Sequence, residues 1–260
     1  MSEKIPVALV LSGGGALGAA HIGVVKQLQE KYHFEYLIGT SAGAIISAAL
    51  ACEIVPDDIA EYLKLKSLIS LAFDFSIRGS GIIKGQKILD LLRKAFDDRT
   101  FEDLPANIKL RIFATNFNTG EGVVLKRGSI ADAVRASLSI PGLFAPHWID
   151  NVPYIDGGIV SNLPLEPVLY EYEGDLIFAV DVCGSNLNKQ VFDDRNYISL
   201  KKSLERSLRI IFHQQISRLK TDPRVQLITP DLNSFGSADI LKLKQIEEIG
   251  FLTAINSNSS

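Results

Sequence analysis

The first apolar run of the chain, Val7 to Leu11, is unbroken and stops just before Gly13-Gly14-Gly15. A short continuous run bounded by glycines is the pattern of a strand buried on both faces, as in a parallel sheet. From Ala19 to Lys31 the period changes. Ile22, Val25 and Leu28 make an apolar stripe with Lys26, Gln27 and Glu30 on other faces, which predicts a helix. Phe34 to Ile38 predicts a second strand and Ala42 to Ala51 a second helix. Strand and helix alternate from the start, so the pattern predicts an α/β fold: a mostly parallel central sheet flanked by helices on both faces.

Further along, Pro56 to Phe73 and Gln86 to Phe96 read as helices around an irregular, glycine-spotted Asp74 to Gly85. Ile112 to Asn116 and Gly122 to Leu125 read as strands, and Ile130 to Ser137 as a helix that ends ahead of Pro141. Trp148 to Ile155 reads as a hairpin turning at Asp150-Asn151 and ending at Asp156-Gly157-Gly158. Leu176 to Val182 predicts a strand, Ser199 to Leu219 a long helix, Val225 to Ile228 a strand, and a last helix starts near Ala238. No repeat, linker or composition break divides the chain. Residues 1–260 are therefore expected to form one domain, with a motif-bearing region over about residues 5–170 and a helical C-terminal part over about residues 195–260.

Composition changes this picture little. At 47% apolar residues, 260 residues can bury a large core. A charged fraction of 22% and a net charge of −3 show no pole that would attract nucleic acid. Cys52 and Cys183 lie far apart in apolar stretches, which fits a reducing compartment and core packing better than a disulfide or a metal site. Lys4 ahead of an apolar run imitates a signal peptide, but three glycines interrupt the apolar core. Leu37 to Cys52 carries no charge, yet it is shorter than the ~20 residues a spanning helix needs. The expectation is a soluble, cytoplasmic protein, at most peripheral to a membrane.

Two loops follow the first two strands, and both could carry chemistry. Gly13-Gly14-Gly15-Ala16-Leu17-Gly18 exposes backbone N–H groups at a helix N-terminus and can hold an anion. Gly13, Gly15 and Gly18 also satisfy the dinucleotide fingerprint, but that fold wants an acidic residue at the far end of strand two, and Glu35 lies at its beginning. The same donors could form an oxyanion hole. Gly39-Thr40-Ser41-Ala42-Gly43 has the Gly-x-Ser-x-Gly form of a serine on a strained strand-to-helix turn with small neighbours. Alone, the pentapeptide reads equally well as a small-residue turn packed on the sheet. Its position favours chemistry, because sites in open parallel sheets form at the carboxyl ends of adjacent strands.

The base is less evident. A serine-acid-histidine order could formally be met by Ser41, Asp156 or Asp181, and His213. On the long helix, however, Leu204, Leu208, Ile211, Phe212, Ile216 and Leu219 make one face, and His213 points roughly 130° away, beside Arg206 and Arg209, as a solvated residue would. His33 sits in a turn without an apparent role, and His147 stays open. His21, beside the glycine loop, is expected to pack or to hydrogen-bond locally. Asp156 ends a strand where Gly157-Gly158 permits close backbone approach, although Asp-Gly is also a common turn pair.

The glycine loop, the serine pentapeptide, Ala136-Ser137-Leu138-Ser139-Ile140-Pro141, and Tyr154-Ile155-Asp156-Gly157-Gly158 with Asn162-Leu163-Pro164 occur in that order. Together they resemble the bacterial branch of the patatin-like phospholipase family, from about Val7 to Pro164. The resemblance implies a three-layer sandwich and lipid ester hydrolysis by a Ser-Asp dyad, carried onto Ser41 as nucleophile and Asp156 as general base. It implies an oxyanion hole at Gly13, Gly14 and Gly15, with Gly18, Gly39, Gly43, Gly157 and Gly158 supporting the motifs. No cofactor and no metal are required; the implied partner is a lipid ester, with transient contact to a membrane surface. Many members carry Arg or Lys where this chain has Leu17, which weakens the case for a phospholipid over neutral esters. A carboxylesterase for neutral esters and a non-catalytic regulatory or binding protein on the same scaffold stay as alternatives. Leu65 to Ile83 reads as a core helix or a lid, and Lys201, Lys202, Arg206 and Arg209 as a solvated face or a contact to head groups.

Overall fold

The computed structural model describes residues 4–59, 84–184, 200–218 and 222–258. Its frame is β1 (Ile5–Leu11), α1 (Ala19–Leu28), β2 (Tyr32–Thr40), α2 (Ala42–Ala51), α3 (Gln86–Ala95), β3 (Lys109–Asn116), β4 (Gly122–Leu125) and α4 (Ile130–Ser137). Then come β5 (His147–Ile149), β6 (Val152–Asp156), α5 (Leu165–Glu171), β7 (Ile177–Val180), α6 (Leu200–Ile216), β8 (Val225–Ile228) and α7 (Leu243–Asn258). The sheet order is β5-β6-β3-β2-β1-β7-β8, with β4 paired to β3. β3, β2, β1, β7 and β8 are parallel, and the antiparallel strands gather around β3.

β1 shows why its run had to be continuous. Val7, Leu9 and Leu11 enter one hydrophobic cluster and Ala8 and Val10 the other, so alternate side chains of one strand supply two cores. On the first face pack α1, α2, α3 and α4; on the second, α5 contributes Leu165 and Val168. These are the three layers that the pattern predicts. α7 seats against α1 at two glycines: a β-carbon on Gly23 would strike the Glu247 carbonyl, and one on Gly250 the Ala20 carbonyl. The turn ahead of α7 consequently lies against the glycine loop, where the Ala16 amide donates to Ser237 O at 2.9 Å.

The hairpin turns at Asp150 and Asn151, both at positive φ (49° and 63°), as a two-residue primed turn requires. Three expectations change. α5 has no counterpart in the sequence reading, and the last helix begins at Leu243 rather than near Ala238, preceded by a 3-10 turn over Ile240–Lys242. The buried face of α6 also differs. Phe212 and Ile216 pack against the cores as expected, but Ile211 is 43% exposed, and Arg209, His213 and Gln215 are half-buried beside them. The reason is polar: loop carbonyls at the strand ends need donors, and Arg209 donates to Phe235 O at 2.6 Å while Gln215 donates to Gly158 O at 3.0 Å. Leu65 to Ile83 and the side chains of Lys201 and Lys202 lie outside the described residues.

Candidate active site

The register of β3 brings the two halves of the site together. Phe113 pairs with Thr40 of β2 and with Val124 of β4, so those strands occupy opposite edges of β3. Ala114 pairs with Val123 of β4 and with Asp156 of β6. β6 therefore continues the edge of β3 that β2 vacates, and neighbouring residues of β3 hold Thr40 and Asp156, one strand step of ~3.3 Å apart. The residue after Thr40 is Ser41, and it turns toward Asp156.

Ser41 has φ 52° and ψ −118°, a conformation an L-residue avoids, at a cost of about 1–3 kcal/mol. Its surroundings hold it there. The Ser41 amide donates to Ser137 Oγ at 2.8 Å, and that hydroxyl donates to Phe113 O at 2.7 Å. Gly39 and Gly43 permit the sharp turn: a β-carbon on Gly39 would collide with the Gly43 backbone, and one on Gly43 with Leu11 O. α2 starts at the next residue, so its N-terminal end faces the serine and favours negative charge there.

Asp156 is anchored by its amide, which donates to Ser139 O at 3.0 Å, while its carboxylate accepts the Gly158 amide at 2.8 Å. Only 6% of Asp156 and 5% of Ser41 are exposed, so both groups are withdrawn from bulk water. Burial pushes the Asp156 carboxyl up to about 6, against the opposing Gly158 amide and the Ser41 hydroxyl that hydrogen-bonds to it.

Ser137 and Ser139 thus tie down Ser41 and Asp156 respectively. That motif carried no role in the sequence reading, and only the tertiary structure supplies one. Arg135, fully buried, fastens the same segment by donating to Ser139 Oγ at 2.7 Å and to the carbonyls of Gly85 and Lys84. Gln215 was also missed. Its amide group donates to Gly158 O and Ile159 O at 3.0 and 3.2 Å and accepts the Asn162 amide at 2.8 Å, bracing the turn that carries Asp156.

The glycine loop lies beside the serine: a β-carbon on Gly13 would sit 3.2 Å from Ser41 Cβ and 2.5 Å from Asn162 Oδ1. The Gly13 amide donates to Asn162 O at 3.1 Å and is committed there. The amides of Gly14 and Gly15 have no partner among the described residues. Leu17 points into the core and is 1% exposed.

The histidines lie elsewhere. His21 is fully buried with Nε2 2.8 Å from Ser12 O; burial lowers its pKa to about 4, so it is neutral and donates to that carbonyl. His33 contacts Asn107 at the surface, and His147 pairs with Asp132 at 2.8 Å. His213 is half-buried rather than solvated. Burial pushes the Asp181 carboxyl up to about 6. Asp181 follows the end of β7, two strands (about 10 Å) from the strand of Ser41, too far to complete a triad with it. Among the described residues no group of three His, Cys, Asp or Glu side chains could hold a metal ion, and no helix is long and apolar enough to cross a membrane. An apolar cavity of about 330 Å³ has Ser41 in its wall.

The chain is similar to known proteins. The family model "Patatin-like phospholipase" matches residues 9–169. An uncharacterized NTE family protein of Mycobacterium tuberculosis (strain H37Rv) is 38% identical over 187 residues, 71% of this chain and 51% of that protein. The lysophospholipase NTE1 of Coccidioides immitis is 28% identical across 94% of this chain and 17% of its own length. The chain spans about half the length, or less, of the curated relatives it matches. The crystal structure of VipD from Legionella pneumophila superposes with a TM-score of 0.53 at 17% identity, over 99% of this chain and 67% of that one, a likeness of fold.

Proposed function

Starting from a chain that belongs to the patatin-like phospholipase family, we propose that it is a serine acyl hydrolase of lipid carboxylic esters, acting through a Ser41-Asp156 dyad and an acyl-enzyme. The observation that carries this reading is a strained serine hydrogen-bonded to a buried carboxylate of raised pKa, set side by side because successive residues of β3 hold Thr40 and Asp156. Ser41 Oγ attacks the ester carbonyl carbon while Asp156 takes the hydroxyl proton. The oxyanion forms against the two open amides, Gly14 and Gly15, and the N-terminal end of α2. Collapse breaks the bond to the alcohol, which leaves with the proton from Asp156. Water then gives a proton to Asp156 as it attacks the acyl carbonyl; collapse breaks the bond to Ser41 Oγ, the carboxylic acid leaves, and Asp156 returns the proton to Ser41.

An aspartate of ordinary pKa is a weak base for this work. Near 6, Asp156 is ionised at neutral pH and still basic enough to accept a proton in the transition state. The test is the pH dependence of kcat/KM on a soluble acyl ester. Activity should rise with pH through an apparent pKa of about 6 and stay level above it, because the deprotonated carboxylate is the working form. A limb near 4, where an unperturbed aspartate titrates, would contradict the desolvated base.

Lysophospholipid is the substrate class we favour, supported by the name of the fungal relative and by the hydrocarbon character of the cavity. With Leu17 turned into the core, no cation from that loop position faces a head group. Contact with a lipid surface fits Phe117 and Trp148, 57% and 64% exposed around Pro153 near the start of β6, the strand that ends in Asp156. Gln215 enters as a positioning residue. Gln215→Ala should lower kcat by roughly tenfold to a hundredfold with little change in KM, since the loss is in the aim of Asp156 rather than in binding. Steady-state kinetics on one ester decides it: a raised KM with kcat intact would assign Gln215 to substrate binding instead.

A further inference from the structure

The cavity beside Ser41 has a direction and an end. Ser41, Ala42, Ile45 and Ala49 lie in its wall, spaced by turns along one side of α2. From Ser41 to Ala49 the helix rises about 12 Å, so the cavity runs along α2 away from the nucleophile. The facing wall is the apolar stripe of α3, with Ile88, Leu92 and Ala95. The two helices run in the same direction. Arg135, next to the Ser137 that holds Ser41, binds the carbonyls of Gly85 and Lys84 at the start of α3, while Arg99, just past its end, donates to Cys52 O at the end of α2. Ala49 and Ala95 therefore lie together at the far end, where Phe96, 2% exposed, also lines the wall.

Ser41 and Ser237 are the polar side chains among the described residues of this wall. A trough with a nucleophile at one end and hydrocarbon along its length is suited to an acyl chain whose carbonyl stays at Ser41. Resting on the acyl-hydrolase reading, we propose that the trough between α2 and α3 is the acyl-chain site and that its far end, at Ala49, Ala95 and Phe96, selects chains of medium length. The wall runs about 12 Å from Ser41 to Ala49, a length that a medium acyl chain fills and a long one outruns. Ala49 and Ala95 determine that limit, because their small side chains leave the far end open.

The experiment uses the full chain and a series of p-nitrophenyl esters: acetate, butyrate, octanoate, decanoate and palmitate. For the wild type, kcat/KM is expected to climb from acetate to decanoate and to gain nothing further at palmitate, since remote binding energy is spent on the reacting end only while carbons still find a wall. Ala49→Phe should cut decanoate turnover by about tenfold or more and leave acetate within about twofold, each lost methylene contact having an effect of that order. Acetate turnover reports that the variant has folded. Ala95→Leu, at a half-buried helix position, carries the same test where Ala49→Phe does not fold. Equal losses on acetate and decanoate in a folded variant, or a wild-type preference still climbing at palmitate, would overturn the proposal while leaving the dyad standing. No turnover of any ester by the wild type would instead overturn the acyl-hydrolase reading, and the trough with it.

Discussion

Ser41→Ala is expected to lose hydrolysis of every ester the protein cleaves, by about 10⁴-fold or more in kcat, with the fold intact. The size follows from the chemistry: no covalent intermediate can form, and the remaining oxyanion donors have only water to activate. Stability should change little, because alanine keeps the β-carbon that makes φ 52° costly, and the amide bond to Ser137 Oγ is a backbone contact. Ser41→Gly should be equally inactive but more stable by about 1 kcal/mol, since glycine tolerates positive φ. Thermal unfolding of the two variants separates strain from chemistry. Equal stabilities would mean that the elbow stores no strain.

Asp156→Asn has the second large effect, and it runs in opposite directions for activity and stability. Turnover should fall by about 10²–10⁴-fold as the general base is lost. Stability should rise. In the folded protein Asp156 holds its proton up to about 6, whereas in the unfolded chain it releases it near 3.8. The native state thus binds more protons between those values, and stability declines as pH rises through that window. Above it the buried charge costs on the order of 3 kcal/mol. Asparagine has no charge to bury and can still accept the Gly158 amide. The variant should therefore unfold at a higher temperature than the wild type at pH 8 and at about the same temperature at pH 4. A variant less stable at both pH values would show that the carboxylate is a structural anchor first.

The sequence yields those parts of the molecule whose cause is local. β1 is legible because it is buried on both faces and must be apolar throughout. The elbow is legible because only small residues survive where Gly39, Gly43 and Leu11 crowd together. The hairpin at Asp150-Asn151 is legible because its turn needs residues that tolerate positive φ. What was hidden depends on distant partners. α5 is seven residues long, too short for a helical period to stand out, and only Leu165 and Val168 of it are buried. Arg209 and Gln215 were missed on the buried side of α6 because hydrophobic periodicity does not register the carbonyls that they satisfy. The same holds for Gly13, whose amide is taken by Asn162, a residue 149 positions away in the chain. Ser137 and Ser139 belong to a motif that carried the resemblance without a role of its own, and only the fold sets them against Ser41 and Asp156.

A carboxylate, with no histidine, as the partner of Ser41 is the central claim, and covalent labelling tests it without assuming a substrate. The protein and its Ser41→Ala, Asp156→Asn, His21→Asn and His213→Asn variants would be treated with a fluorophosphonate, and the rate of adduct formation followed by intact mass. The account predicts a single adduct on Ser41 in the wild type, none at that site in Ser41→Ala, collapse of the rate in Asp156→Asn, and near wild-type labelling in both histidine variants that fold. Labelling of Asp156→Asn at the wild-type rate, or its loss in a folded histidine variant, would contradict the account.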